Sequence, residues 1–244
     1  MTPLVNGEPA DRAPVGPWAL HGFSVFTTLR VEEGAPVFLD RHLARLAAHA
    51  RALGLPHPGD EVVAQDVLAA SAGGGRLLVR VTLGDGIRLA QARPLEPPPA
   101  HAYDRGVKVV VTDRTVHPEL ARFKTGNHLV YRQAAADAAA AGAFEGLLRD
   151  PSGNVVDGSR TSPLVVDGDE LVILEGGLDG ITREAVAAEA TARGFRIRRA
   201  LRSRTSGLLL LAGTGVGLVP AGAPTDPRVR DLVAFFRLDR HPPS

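Results

Sequence analysis

The chain has 244 residues, 44% hydrophobic and 23% charged, enough to build a sizeable core in one large or two smaller domains. Lys and Arg total 28 against 27 Asp and Glu, a net charge of +1, so composition points to neither a nucleic-acid nor an anionic-membrane partner. There is no cysteine, which excludes disulfides, cysteine-based zinc sites and thiol catalysis.

The opening residues, Met1-Thr2-Pro3-Leu4-Val5-Asn6-Gly7-Glu8, lack a basic region followed by an apolar stretch, and no apolar run is long enough to span a bilayer. The expectation is a soluble, cytoplasmic protein with no membrane attachment. Residues 3–6 read as a short strand closed by a turn at Gly7. Residues 22–31 are rich in β-branched and aromatic side chains and read as a strand. Glu33-Gly34 reads as a hairpin turn into a strand at 36–39. Asp40 is a candidate N-cap for a helix over 41–53, ended by Gly54. Its residues Leu43, Leu46, Ala47 and Leu53 fall near one face. A second helix is expected over 62–72, stopped by Gly73-Gly74-Gly75. Strands at 76–83 and 87–93 are expected to pair across Gly84-Asp85-Gly86.

The stiff run Leu95-Glu96-Pro97-Pro98-Pro99-Ala100-His101 divides the chain into domains at 1–100 and 101–244. In the second, residues 107–111 read as a buried strand and 127–141 as a helix ending at Gly142. A strand at 145–149 leads to the turn Asp150-Pro151-Ser152-Gly153-Asn154. Residues 164–166 and 171–174 form a hairpin, 181–192 a helix, 195–199 and 207–211 strands, and 231–236 a helical turn.

Four stretches carry candidate chemistry. In Arg122-Phe123-Lys124-Thr125-Gly126-Asn127-His128 a lysine stands between an apolar residue and a turn-prone run. Burial would disfavour its ammonium and make it an amine nucleophile. Alone, it reads equally as a solvated charge before a helix. The second stretch is Asn154-Val155-Val156-Asp157-Gly158-Ser159-Arg160-Thr161-Ser162, where Asp157-Gly158 by itself reads as a turn. The third, Gly177-Leu178-Asp179-Gly180-Ile181-Thr182-Arg183-Glu184, opens a helix, whose free N–H groups form an anion site; a loop glycine with a threonine cap suits it too. The fourth is Leu211-Ala212-Gly213-Thr214-Gly215-Val216-Gly217-Leu218. Its glycines lack the G-x-G-x-x-G spacing of dinucleotide binders. H-E-x-x-H, G-x-S-x-G and G-K-[ST] are absent, and the histidines show no metal-ligand spacing.

In this order the four stretches resemble the fold-type IV pyridoxal-phosphate enzymes (the class-IV aminotransferase family), which include branched-chain and D-amino-acid aminotransferases and aminodeoxychorismate lyase. The resemblance runs over nearly the whole chain. It implies a mixed α/β (α+β) protein of two domains: a smaller N-terminal α/β sandwich and a larger C-terminal α/β barrel-like domain carrying the Schiff-base lysine. It implies pyridoxal 5′-phosphate as cofactor, a small-molecule substrate and a homodimer, with no metal.

By the same resemblance Lys124 is the Schiff-base lysine. Asp157 stands where the family has a glutamate facing the pyridinium nitrogen, one methylene shorter in reach. Ser162 replaces an asparagine. Gly180, Ile181 and Thr182 form one phosphate loop, and Gly213 and Thr214 a second. Arg45, in His42-Leu43-Ala44-Arg45-Leu46, matches a phosphate-binding arginine; alone it would be a solvated helix residue. After Phe26 the aminotransferases have glutamate, whereas this chain has Thr27, as the lyases do. That makes Thr27 a candidate proton donor to the leaving pyruvate enol, although threonine also simply suits a strand. The implied reaction converts 4-amino-4-deoxychorismate to 4-aminobenzoate and pyruvate in folate biosynthesis. The alternatives are an aminotransferase acting on D-amino or branched-chain amino acids and a non-catalytic relative of the same fold.

Overall fold

The structure, a computed structural model, describes residues 2–9, 16–203 and 205–240. Two compact units form: Met1–Glu96 with Phe123–His128, and Pro97–Arg122 with Leu129–Ser244.

The first unit contains β1 (Leu4–Val5), β2 (Glu8–Pro9), α1 (Pro17–Leu20), β3 (Ser24–Glu32), β4 (Ala35–Pro36), α2 (Leu39–Ala52), α3 (Asp60–Ala70), β5 (Arg76–Gly84) and β6 (Ile87–Pro94). Its strands form an antiparallel sheet of order β2-β1-β6-β5-β3-β4. Successive strand residues point to opposite faces. Val25, Leu29 and Val31 of β3 pack with Val79, Val81 and Leu83 of β5 and with Leu43, Leu46, Val63 and Val67 of the two long helices. Thr27 therefore belongs to the helix-covered face, while Phe26, Thr28 and Arg80 belong to the opposite one.

The turn at Glu33 and Gly34 takes positive φ values of 48° and 84°, as a tight hairpin requires. The strand expected at 36–39 shrinks to Ala35–Pro36, because Phe38 adopts a left-handed φ of 55° and α2 starts immediately after it. Asp40 thus lies inside the first helical turn, near the positive end of the helix dipole, and is not the N-cap.

The sequence division assigned Lys124 to residues 101–244, whereas its segment packs in the first unit. Val25 and Thr125 form an antiparallel bridge, Phe26 N donates to Lys124 O at 2.9 Å, and Gly126 N donates to Ser24 O at 2.9 Å. The segment thereby extends the free edge of β3. Gly126 permits the approach: a Cβ there would collide with the Ser24 hydroxyl and lie 3.0 Å from Gly22 O.

The second unit contains α4 (Ala100–Asp104), β7 (Val109–Thr115), α5 (Pro118–Ala121), α6 (Leu129–Ala140), β8 (Glu145–Arg149), β9 (Val155–Gly158), β10 (Ser162–Asp167), β11 (Glu170–Leu174), α7 (Ile181–Ala192), β12 (Arg196–Ala200), β13 (Leu208–Gly213), β14 (Gly217–Pro220) and α8 (Pro227–Phe236). One sheet runs β7-β8-β9 and the other β12-β11-β10-β13-β14. Leu164, Leu171, Ile173, Leu210 and Leu218 form a core with Val186, Ala187 and Ala190 of α7 and Val229, Leu232 and Val233 of α8. Leu147, Val155, Val165, Val172, Leu174 and Leu211 make a second cluster. The expected helical turn at 231–236 is a longer helix, started by Asp226, whose carboxylate accepts from Arg228 N at 2.7 Å, with Pro227 at its first position. Among the described residues no helix is long and apolar enough to cross a membrane.

Candidate active site

In the first unit the side chain of Lys124 follows β-sheet alternation. Thr125 pairs with Val25, so Lys124 lies on the side of Phe26, and its Nζ stands 4.7 Å from the centre of the Phe26 ring. The lysine is half-buried. Its backbone is pinned to α2, because Lys124 N donates to His49 Nδ1 at 3.1 Å. Phe123 meets the His49 ring edge-on at 5.5 Å, and His128 packs 5.0 Å from Phe26.

The Phe26 ring also carries a second cation. The Arg80 guanidinium lies 3.5 Å from the ring centre, and its Nε donates to Thr82 Oγ1 at 3.3 Å. No carboxylate among the described residues pairs with it. Burial pulls its pKa below the ordinary value. The sequence reading passed over Arg80. The signal was present as a lone charge inside the strand-like run Leu77-Leu78-Val79-Arg80-Val81.

Thr27 lies on the other face of β3 and is 1% exposed. Its Oγ1 is 3.1 Å from Arg45 Nη2 and 2.7 Å from His42 Nδ1. Thr27 and Arg45 therefore meet, but Thr27 turns away from the face that Lys124 occupies. His42 is buried, and that burial, with the positive charges of Arg45 and Lys124, lowers its pKa to about 3. The sequence reading used His42 only as a motif landmark.

In the second unit Asp157 is buried near the end of β9. Its carboxylate accepts from Gly158 N at 3.1 Å, from Leu178 N at 3.3 Å and from the Tyr131 hydroxyl on α6. Burial and the Asp157 charge push the Tyr131 pKa up, so it stays a neutral donor. The turn after Asp157 is laced by Glu145, which is fully buried. Its carboxylate accepts from Ser159 N at 3.0 Å, from Thr161 Oγ1 at 2.7 Å and from the Ser159 hydroxyl.

Helix α7 begins beside this turn. Gly180 is its N-cap and no side chain caps it, so the first N–H groups, those of Ile181 and Thr182 included, have no partner from a capping side chain. A Cβ on Gly180 would lie 2.5 Å from Ser162 Oγ, so the Ser162 side chain packs directly against the Gly180 backbone. Ser162 pairs with Ala212 on β13, next to Gly213. A Cβ on Gly213 would lie 3.2 Å from Arg160 O and 3.5 Å from Thr161 Cγ2. Thr214 follows in the turn to β14. Gly180, Ile181, Thr182, Ser162, Gly213 and Thr214 thus gather at one end of the five-stranded sheet. Among the described residues no three His, Cys, Asp or Glu side chains converge as a metal-binding group.

The sheet with its edge lysine in one unit, and the bare helix start beside a buried carboxylate in the other, belong to a mixed α/β protein. The profile of the amino-transferase class IV family matches residues 24–205, and the chain belongs to that family. No curated protein matches it. Among solved structures, one provisionally named 4-amino-4-deoxychorismate lyase is 49% identical, with a TM-score of 0.89 over 98% of this chain and 99% of that one. The 4-amino-4-deoxychorismate lyase of Pseudomonas aeruginosa is 27% identical, with a TM-score of 0.84 over 94% of this chain and 96% of the other. A branched-chain amino acid aminotransferase solved with pyridoxamine 5′-phosphate shares the fold at 23% identity, TM-score 0.80, over 96% and 93% of the chains.

Proposed function

We propose that the protein is a pyridoxal-phosphate-dependent lyase that converts 4-amino-4-deoxychorismate to 4-aminobenzoate and pyruvate. One observation carries the choice of lyase: the 49% identity, over essentially both full chains, with the provisionally named 4-amino-4-deoxychorismate lyase. The residues fit the cofactor. Lys124 offers an amine on a fixed backbone. Asp157 offers a buried carboxylate for the ring nitrogen. The uncapped start of α7 suits a phosphate, with Gly213 and Thr214 at the same end of its sheet, and in the first unit Arg45 is the arginine that the family resemblance gives to the phosphate.

When bound, the cofactor supplies an electron sink for the carbon that bears the substrate amine. Lys124 takes the proton from that carbon. The bond from the ring to the enolpyruvyl oxygen then breaks, the ring becomes aromatic, and the leaving enol takes up a proton to become pyruvate. The proton held by Lys124 balances that demand, so one amine serves as base and then as acid. Arg80, a desolvated cation beside Lys124 on the Phe26 ring, binds a substrate carboxylate. A cytoplasmic setting, a place in folate biosynthesis and a homodimer accompany this reading, and sedimentation as a monomer at micromolar concentration would count against the last.

The second reading, an aminotransferase, draws on the family profile itself. Two measurements separate the possibilities. The purified protein should show a visible band that borohydride removes and that Lys124→Ala lacks; a colourless protein that takes up no added cofactor would end both readings. Given aminodeoxychorismate alone, the protein should release 4-aminobenzoate and pyruvate in equal amounts with no keto acid present. Steady exchange between D-alanine or leucine and 2-oxoglutarate, without 4-aminobenzoate, would establish the aminotransferase instead.

A further inference from the structure

Thr27 Oγ1 is shared by two partners on α2, His42 and Arg45. A guanidinium only donates, so Arg45 Nη2 must use a lone pair of Thr27 Oγ1 at 3.1 Å. Oγ1 retains its hydrogen and a second lone pair, and in the His42 tautomer protonated on Nε2 it donates that hydrogen to Nδ1 at 2.7 Å. The lowered pKa of about 3 keeps the ring neutral, so one of its two nitrogens is free to accept. The chain of bonds runs Arg45 to Thr27 to His42. His42 and Arg45 stand three residues apart on α2, so both project from one helix face onto β3. Thr27 is 1% exposed and lies on the face of β3 away from the Lys124 side chain.

We propose that Thr27 and His42 are positioning residues: they fix the Arg45 guanidinium as a phosphate-binding group and donate no proton to the reaction. This rests on the reading that a phosphate-bearing cofactor binds at Arg45. A rotating, unanchored arginine would lose side-chain freedom each time it met the phosphate. Held through the Thr27 hydroxyl, it is already in place before the anion arrives.

The test titrates cofactor-free protein with pyridoxal phosphate, with pyridoxal lacking the phosphate, and with inorganic phosphate. Thr27→Val should weaken pyridoxal phosphate and inorganic phosphate by about tenfold to a hundredfold, the value of one hydrogen bond to a charged group, and leave pyridoxal unchanged. Thr27→Ser, which keeps the hydroxyl, should restore the affinity. Combining Thr27→Val with Arg45→Gln should be no worse than Arg45→Gln alone, because both act through one contact. If Thr27→Val does not fold, His42→Gln breaks the other end of the chain and is read by the same three ligands. Equal weakening of pyridoxal and pyridoxal phosphate would overturn the inference, as would unchanged affinities with turnover lost, which would return Thr27 to the chemistry. If the wild type takes up no pyridoxal phosphate, the cofactor reading fails, and inorganic phosphate alone then decides the inference. Tighter phosphate binding by wild type than by Thr27→Val supports it, and equal binding overturns it.

Discussion

The backbone N–H of Lys124 is held by Nδ1 of His49, at 3.1 Å. The lysine is thus fixed at its root by a helix 75 positions earlier in the sequence, while its amine stands over Phe26. The bond also fixes the His49 tautomer, with the hydrogen on Nε2.

His49→Leu should therefore cost about 1–2 kcal/mol of stability, by leaving the Lys124 N–H without this acceptor. His49→Gln, which can still accept, should cost less. Urea unfolding of the two variants beside wild type checks the order, and a Leu variant as stable as Gln would show that the bond contributes little.

His42 sets a pH dependence with a definite sign. Its pKa is about 3 in the folded protein against an ordinary 6.5, so between those values the unfolded chain binds a proton that the folded one refuses. The stability is complete above the unfolded value and is lost as pH falls below it, by about 1.4 kcal/mol per pH unit. Thr27 contacts this histidine, the positive charges of Arg45 and Lys124 act on it, and none of the three supplies a carboxylate to offset its charging. Unfolding free energies measured from about pH 7 down to about pH 5 should fall more steeply for wild type than for His42→Gln.

Arg80→Gln should raise KM for a carboxylate substrate on the order of tenfold to a hundredfold, the effect of one charged hydrogen-bonding partner. Affinity for pyridoxal phosphate should hardly change. Steady-state kinetics with a cofactor titration separates the two. A KM left at the wild-type value would remove Arg80 from substrate binding.

Glu145→Ala should cost about 2–4 kcal/mol, because the Ser159 and Thr161 donors lose a fully buried acceptor. The turn between Asp157 and Ser162 should loosen with it. Faster hydrogen exchange at the Ser159 amide, relative to amides of β11, would register that change.

The sequence made the strands of both units legible where β-branched residues cluster, as in β3, β5, β10 and β11. It fell short where structure depends on distant partners. β9 and β14 are four residues long and rich in small or turn-like types, so they exist only through their neighbours in the sheet. Asp226-Pro227 carried the N-cap and first-position signals of α8, yet the helix was placed four residues late. Lys124, Asp157 and Gly180 stood out through the order of their motifs. The assignment of Lys124 to a domain failed because a six-residue excursion to a sheet edge leaves no periodic trace. Thr27 could be placed on a face by alternation alone, but its partners His42 and Arg45 required the packing of α2.

Adjacent positions on β3 serve unrelated tasks. Phe26, with Thr28 and Arg80, faces the side of Lys124, while Thr27 faces Arg45 and His42. The two faces can therefore diverge separately under selection. A library randomised at Phe26, Thr28 and Arg80 can explore new substrates without touching the Thr27 anchor, whereas inserting or deleting one residue in the strand would exchange the two faces at once.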